Sequence, residues 1–128
     1  MNKILVVEDD DSVSELVSSV LRESGYEVLV ASSAEEAKKR ISTERPMLAI
    51  VDIILPGQGG MDLILELHST SPTLGIILTS GKIDMNKSTF KVLAHQFGVL
   101  SILPKPFTIE ELLATVTEAI GKIAPGAI

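Results

Sequence analysis

The stretch MLAIVDIILPG, Met47–Gly57, decides the fold class of this chain. It is a short apolar run that ends in one carboxylate, Asp52, and then breaks at Pro56 and Gly57. An apolar run of this length between turn residues is typical of a strand buried on both faces. Asp52 then lies at the carboxyl end of the strand, where open parallel sheets bind their ligands. An Asp that only opens a turn is the simpler alternative, and the rest of the sequence decides between the two.

The composition limits the classes of protein to which the chain can belong. It has 128 residues, 45% of them apolar, which is enough for one globular domain with a core. A net charge of −6 and only 3% aromatic residues argue against nucleic acid as a direct partner. The chain has no cysteine, no apolar run long enough to span a membrane and no signal-peptide pattern after Met1. We therefore expect a cytoplasmic protein without a membrane partner.

Strand patterns and helix patterns alternate five times along the chain. The predicted strands are 3–7, 27–31, 47–52, 75–79 and 101–103. The first helix is predicted to begin at an N-cap at Asp11 or Ser12 and to stop at Gly25. Capping boxes at 33–36 and 108–111 open the second helix, which runs to about Thr43, and the last helix, which runs through Ile120. Apolar stripes predict the third and fourth helices, at Leu63, Ile64 and Leu67 and at Phe90, Leu93, Ala94 and Phe97, the fourth ending at Gly98.

This alternation predicts a parallel sheet with helices on both faces. We expect a single three-layer, doubly wound α/β domain of five parallel strands and five helices. The domain is predicted to cover residues 1–123, and residues 124–128 are expected to form a frayed tail.

Polar side chains follow four of the predicted strands. Glu8 and Asp9 follow the first strand, and Asp52, Thr79 and Lys105 follow the third, fourth and fifth. If the strands are parallel, these groups share one edge of the sheet. Three carboxylates there repel one another unless a cation lies among them, and hard oxygen ligands favour Mg2+ or Mn2+. A carboxylate nucleophile, a metal ion, a hydroxyl and an ammonium group together are suited to phosphoryl transfer.

Each of these residues also has a simpler interpretation. In the simpler interpretation, the acidic run Glu8–Asp11 does no more than complement the dipole of the first helix. We favour this interpretation for the last two residues of the run. Lys105 alone is typical of a solvated lysine, and His68 and His95 are typical of a helix surface. The glycines of 57–60 lack the G-x-G-x-x-G spacing and predict a flexible turn.

Four motifs in order resemble the response-regulator receiver domain of two-component signalling. They are ILVVEDD at Ile4–Asp10, VDIILPG at Val51–Gly57, LTS at Leu78–Ser80 and LPKPF at Leu103–Phe107. The resemblance covers the whole chain and implies the flavodoxin-like strand order 2-1-3-4-5. It also implies a cis peptide bond between Lys105 and Pro106.

The resemblance implies a role for each site residue. Asp52 matches the residue that accepts a phosphoryl group from a histidine kinase or a histidine phosphotransfer protein. Glu8, Asp9, Asp52 and the backbone carbonyl of Ile54 match the Mg2+ ligands. Thr79 matches the switch hydroxyl, and Lys105 the lysine that pairs with the phosphoryl group. The expected function is a phosphorylation-dependent switch that promotes its own phosphorylation and dephosphorylation. It is expected to alter the face of the fourth helix, fifth strand and fifth helix for a downstream protein target or an output domain outside this chain.

Three features depart from the family pattern. Ile102 stands where the family has a Tyr or Phe coupled to the threonine. The stretch from Thr79 to Lys105 is longer than usual, and we place the extra residues in 80–87. Ile54 and Gly81, two residues after Asp52 and Thr79, have no side chain that can orient a hydrolytic water, which predicts slow loss of the phosphoryl group.

Three other functions fit the same pattern less well. A phosphatase of the haloacid-dehalogenase type needs a second Asp at the position of Ile54. A flavin carrier needs a phosphate-binding loop where the acidic run 8–11 stands. A receiver-like adapter that binds proteins without phosphorylation is the main alternative, and Ile102 and the longer loop favour it mildly.

Overall fold

The sheet has the predicted parallel architecture. The structure is a computed structural model that describes residues 2–81 and 96–123. Within these residues the strands are β1 (Lys3–Val7), β2 (Glu27–Ala31), β3 (Leu48–Asp52), β4 (Gly75–Ser80) and β5 (Val99–Pro104). The helices are α1 (Asp11–Glu23), α2 (Ala34–Glu44), α3 (Gly60–Thr70) and α4 (Ile109–Ile123). All neighbouring strands pair in parallel, in the order β2-β1-β3-β4-β5, which confirms the predicted topology.

Strand β3 lies in the middle of the sheet, and all five of its residues are buried. Its side chains alternate between two apolar cores, because successive residues of a strand point to opposite faces. Ala49 and Val51 pack into the core that contains α2 and α3 residues. Leu48 and Ile50 pack into the core that contains α1 and α4 residues. Both faces of the sheet are therefore covered, and the predicted three-layer arrangement is confirmed.

The helix ends follow local capping chemistry. The N-cap of α1 is Asp10, whose carboxylate accepts the N–H groups of Ser12 at 2.9 Å and Val13 at 3.3 Å. The prediction of Asp11 or Ser12 was wrong, because Asp10 is the residue with the extended backbone that places its carboxylate over the first turn. Gly25 adopts a φ of 97° just after α1, as predicted for the residue that stops the helix.

The predicted capping box at 108–111 is complete, whereas the one at 33–36 is partial, because the Glu36 carboxylate accepts the Ser32 N–H at 2.9 Å and not the N–H of the N-cap Ser33. Ser33 accepts the Glu36 N–H at 3.2 Å. Thr108 and Glu111 exchange side-chain to backbone hydrogen bonds of 3.0 Å in both directions. These caps fix the start of α2 and of α4, and α4 begins four residues after the last residue of the site, Lys105.

Strand β5 is longer than predicted. It runs from Val99 to Pro104 rather than over 101–103, and a bulge opposite Ile76 and Ile77 adds one residue to its register. As an edge strand it is only half-buried over most of its length, so its sequence lacks a full apolar run. Most of the helix predicted from the apolar stripe at 90–97 lies outside the described residues, as does the tail 124–128. No helix in the described part of the chain is long and apolar enough to cross a membrane.

Candidate functional site

The carboxyl ends of the central strands bring buried polar groups together. Asp52 on β3 and Thr79 on β4 are register partners. Glu8 follows β1, and Lys105 follows β5. Asp52 is 7% exposed, Glu8 5% and Thr79 4%, although acidic side chains are rarely buried without a partner. The predicted residues therefore meet at one edge of the sheet, where burial strengthens their electrostatic interactions.

Lys105 is the cation that the structure places among these acids. Its Nζ donates hydrogen bonds to Glu8 Oε1 at 2.5 Å and to Asp52 Oδ2 at 2.9 Å. The backbone N–H of Lys105 also donates to the Ser80 carbonyl at 2.8 Å, which ties the end of β5 to β4. The Lys105–Pro106 peptide bond is cis, as the resemblance implied. The Lys105 ammonium group thus bridges Glu8, which follows β1, and Asp52, which is the last residue of β3.

The pKa values of Glu8 and Lys105 reflect this arrangement. Burial raises the pKa of Glu8, and the nearby Asp52 acts in the same direction, although hydrogen bonds from Lys105 and the Asp10 N–H oppose the rise. Burial alone lowers the pKa of Lys105, but its hydrogen bonds to Glu8 and Asp52 outweigh that effect and raise the pKa overall. Lys105 is therefore charged at neutral pH and serves as the counter-ion of both acids.

Backbone amides orient both carboxylates. The Ile54 N–H donates to Asp52 Oδ1 at 3.0 Å, so both oxygens of Asp52 accept hydrogen bonds. The Asp10 N–H donates to Glu8 Oε2 at 3.2 Å. Such bonds hold a carboxylate in one orientation before a ligand arrives, which lowers the entropic cost of binding.

The acids form a candidate metal site. Glu8, Asp9 and Asp52 each offer a carboxylate oxygen, and these oxygens lie within 4.8 Å of one another. Asp9 is exposed, so the cluster opens to solvent on one side. An all-carboxylate set of hard donors suits Mg2+ or Mn2+. The Ile54 N–H group lies beside the cluster, because it is hydrogen-bonded to Asp52. That the Ile54 carbonyl is a fourth ligand of the metal ion stays a prediction.

Thr79 is held loosely in this site. Its hydroxyl donates to the Val51 carbonyl at 3.5 Å, close to the limit of a hydrogen bond. A weakly bonded hydroxyl can leave this partner at little cost. Ile102, which replaces the aromatic residue of the family, is half-buried and packs against the core on the α2 and α3 side of the sheet.

The sequence interpretation missed two features of this edge. Ser80 is buried, and its hydroxyl has no hydrogen-bond partner among the described residues. Gly60, which was assigned to a flexible turn, is the first residue of α3 and touches the backbone at the end of β3. The Gly59-Gly60 pair before an apolar helix stripe was the signal for such a close approach.

Comparisons with known proteins agree with this geometry. Residues 4–117 match the family described as the response regulator receiver domain. The chain is 35% identical over 114 residues to the alkaline phosphatase synthesis transcriptional regulatory protein PhoP of Bacillus subtilis, covering 89% of this chain and 46% of that protein. It is 34% identical to the transcriptional regulatory protein CpxR of Klebsiella pneumoniae, covering 91% of this chain and 48% of that protein. The chain spans about half the length of these curated relatives.

Solved structures show the same fold over nearly the whole chain. A CheY-like response regulator receiver domain protein from Methanospirillum hungatei aligns with a TM-score of 0.88 and 28% identity over 98% of both chains. A response regulator receiver domain protein from Clostridium thermocellum aligns with a TM-score of 0.83 and 28% identity, covering 95% of this chain and 96% of the other.

Proposed function

The chain belongs to the receiver domains of two-component response regulators, a family of phosphorylation-dependent switches, and we propose that Asp52 is the residue that accepts the phosphoryl group. The observation that carries this proposal is the placement of the Asp52 carboxylate. It lies at the end of the central strand, 2.9 Å from the Lys105 ammonium and within a cluster of three carboxylates. Among residues 2–81 and 96–123, neither Asp62 nor any other exposed helix acid belongs to such a carboxylate cluster.

In the proposed reaction an oxygen of Asp52 attacks the phosphorus of a phosphohistidine on the donor protein. An O–P bond forms as the N–P bond breaks, and the imidazole nitrogen leaves with the electron pair of that bond and takes up a proton. Such a transfer depends on position and on neutralised charge more than on further covalent chemistry. Lys105 supplies one positive charge beside the acceptor, and the Ile54 N–H fixes the orientation of the carboxylate.

We propose that Glu8, Asp9 and Asp52, with the Ile54 carbonyl, hold Mg2+ or Mn2+. The ion supplies charge neutralisation for the phosphoryl oxygens. The bridge from Lys105 to Glu8 and Asp52 supports this proposal, because it places a positive charge among the same acids. A divalent ion held there would draw on carboxylates that already accept hydrogen bonds from Lys105.

We propose that Thr79 and Lys105 detect the new phosphoryl group. Phosphorylation adds charge and strong acceptor oxygens beside the weakly bonded Thr79 hydroxyl. Lys105 is joined to β4 through Ser80, so its movement is transmitted to both β4 and β5. The expected readout surface is β5 with α4 and the predicted helix that precedes β5, where a downstream protein or an output domain selects one arrangement.

The proposed phosphoryl donor is a histidine kinase or a histidine phosphotransfer protein. Three large apolar side chains are exposed on segments that leave the site edge, namely Leu16 on α1, Ile54 after β3 and Ile109 at the start of α4. Ile54 places one exposed apolar side chain two residues after Asp52, and the membership of the chain in the receiver-domain family supports a protein as the phosphoryl donor. We also propose a cytoplasmic location, which agrees with the lack of cysteine.

Incubation with Mg2+ and acetyl phosphate, followed by intact mass measurement, tests the function. We expect one phosphoryl adduct on the wild type and on Asp62→Asn, an exposed acid outside the site, and none on Asp52→Asn. Absence of an adduct on the wild type contradicts the switch and favours the adapter. Continuous release of phosphate from small phosphate esters, without a stable adduct, favours the phosphatase.

A further inference from the structure

The first residue of α3 touches the backbone that carries Asp52. The Gly60 N–H donates to the Ile53 carbonyl at 3.0 Å. A Cβ atom on Gly60 would overlap the Asp52 carbonyl oxygen and lie 2.7 Å from Ile53 Cα and 3.0 Å from the Asp52 carbonyl carbon. All three atoms belong to the main chain, so no side-chain rotation can relieve the contact. The backbone of Gly60 is not in the left-handed region, and the need for glycine here is steric.

The 52–53 peptide cannot move freely away from α3. The Ile53 N–H donates to the Thr79 carbonyl at 3.0 Å, and β3 is paired on both sides by β1 and β4. On the other side of the contact, Leu63 and Ile64 hold α3 in the core with no exposed surface. The peptide that follows Asp52 is therefore held between β4 and the start of α3. An added methyl group must displace one of these two elements.

This peptide sets the direction of the acceptor carboxylate. Asp52 Oδ1 is bonded to the Ile54 N–H, one residue beyond the contact, and Oδ2 to Lys105. We propose that Gly60 is a positioning residue for phosphoryl transfer. Because it has no side chain, α3 approaches closely enough to fix the 52–53 peptide and, through it, the Asp52 carboxylate. This inference rests on the proposed function of Asp52 as phosphoacceptor.

Two control variants separate positioning from general effects on α3. Gly59 precedes Gly60 with a φ of −70°, and a Cβ added there meets no atom within 4 Å. Gly59→Ala thus makes the same chemical change one residue away without the contact. Leu67 is a buried residue of the same helix, two turns from the site. Leu67→Ala lowers the stability of α3 without adding an atom near Asp52.

The experiment measures two quantities on the full chain, in one buffer containing an osmolyte that favours the folded state. The first is the rate of Asp52 phosphorylation at saturating Mg2+ and acetyl phosphate. The second, read without any donor, is the NMR chemical shift of the Ile54 amide proton, which reports its bond to Asp52. We expect the Gly60→Ala protein to be phosphorylated about 100-fold more slowly than the wild type, the effect typical of a reacting group displaced by about 1 Å. We also expect the chemical shift of its Ile54 amide proton to differ from that of the wild type. Gly59→Ala and Leu67→Ala are expected to stay within about twofold of the wild-type rate.

Two outcomes overturn the inference. One is a Gly60→Ala protein with the wild-type phosphorylation rate and an unchanged chemical shift of the Ile54 amide proton. In that case the added methyl group has displaced α3 and not the 52–53 peptide. The other is a Leu67→Ala protein that is slowed as much as Gly60→Ala, because the effect is then general to α3. A wild type that accepts no phosphoryl group contradicts the proposed function instead, and the amide shift still decides whether Gly60 places the Asp52 carboxylate.

Discussion

Replacement of Lys105 by methionine removes the charge that bridges Glu8 and Asp52 while keeping a side chain of similar length. One carboxylate oxygen each of Glu8, Asp9 and Asp52 lies within 4.8 Å of the other two. At an effective dielectric constant of about 20, two unit charges at that distance repel by about 3.5 kcal/mol. Removing one partner of a buried ion pair costs about 3–5 kcal/mol. Because the Lys105 side chain is 24% exposed, we expect a loss near the lower limit, about 3 kcal/mol of unfolding free energy at neutral pH.

The loss is expected to depend on Mg2+ and on pH. A divalent ion at about 100 times its Kd stabilises the folded state by about 2.7 kcal/mol, so Mg2+ restores most of the stability of Lys105→Met. The wild type is expected to gain less, because Lys105 already neutralises part of the carboxylate charge that would hold the ion. Without Lys105 the pKa of Glu8 rises further above its ordinary value of 4.5. The folded state then binds more protons than the unfolded state, so the deficit grows as pH rises above that value and is small below it.

Urea unfolding in chelator and in Mg2+, at acidic and neutral pH, measures both effects. Lys38→Met is the matched control, because Lys38 pairs with Glu66 at 2.9 Å on the surface and outside the site. This control is expected to lose at most about 1 kcal/mol, and Mg2+ is expected to stabilise it by the same amount as the wild type. If Lys105→Met loses less than about 1 kcal/mol in chelator, or if Mg2+ stabilises it no more than the wild type, Lys105 is not the counter-ion of these acids.

Three further predictions concern the switch, its lifetime and the fold. Thr79→Val is expected to lose less than about 1 kcal/mol of stability and still to form the phosphoryl adduct. Phosphorylation is expected to leave its NMR spectrum unchanged outside the site, and a spectral response equal to that of the wild type would exclude Thr79 as the switch hydroxyl. Since Ile54 and Gly81 cannot orient water, the adduct should decay slowly. Ile54→Asn should shorten the half-life of the adduct about fivefold, which is equivalent to one hydrogen bond of about 1 kcal/mol. Equal half-lives for the wild type and Ile54→Asn would refute this. Asp10→Ala should cost about 1 kcal/mol in urea unfolding, and an equal loss in Asp11→Ala would contradict the assignment of Asp10 as N-cap.

Much of the fold is encoded in local patterns. The apolar run before Asp52 specifies a strand buried on both faces, and alternating helices allow only parallel crossovers, so the strand ends must share an edge. For that reason the sequence predicted that Glu8, Asp52, Thr79 and Lys105 meet. The start of α1 was misassigned because several adjacent acids can cap a helix, and only the backbone conformation selects Asp10.

Other features depend on contacts between distant segments. The double bridge from Lys105 depends on the side-chain conformations of three residues far apart in the chain, which no local pattern encodes. The role of Gly60 depends on the distance between α3 and the end of β3, whereas the local glycine pattern indicated only a turn. The length of β5 was underestimated because half-buried edge strands have mixed sequences.

The most direct test of the central claim locates the phosphoryl group within the chain. Acyl phosphates are reduced by borohydride to the corresponding alcohol, so a phosphorylated aspartate becomes a homoserine that peptide mass spectrometry can locate. After treatment with Mg2+ and acetyl phosphate, we predict homoserine at Asp52 alone, and its loss when Lys105 or the Glu8 and Asp9 pair is removed. Homoserine at another acid, or none in the wild type, would contradict the account of this edge as a phosphoryl-accepting site.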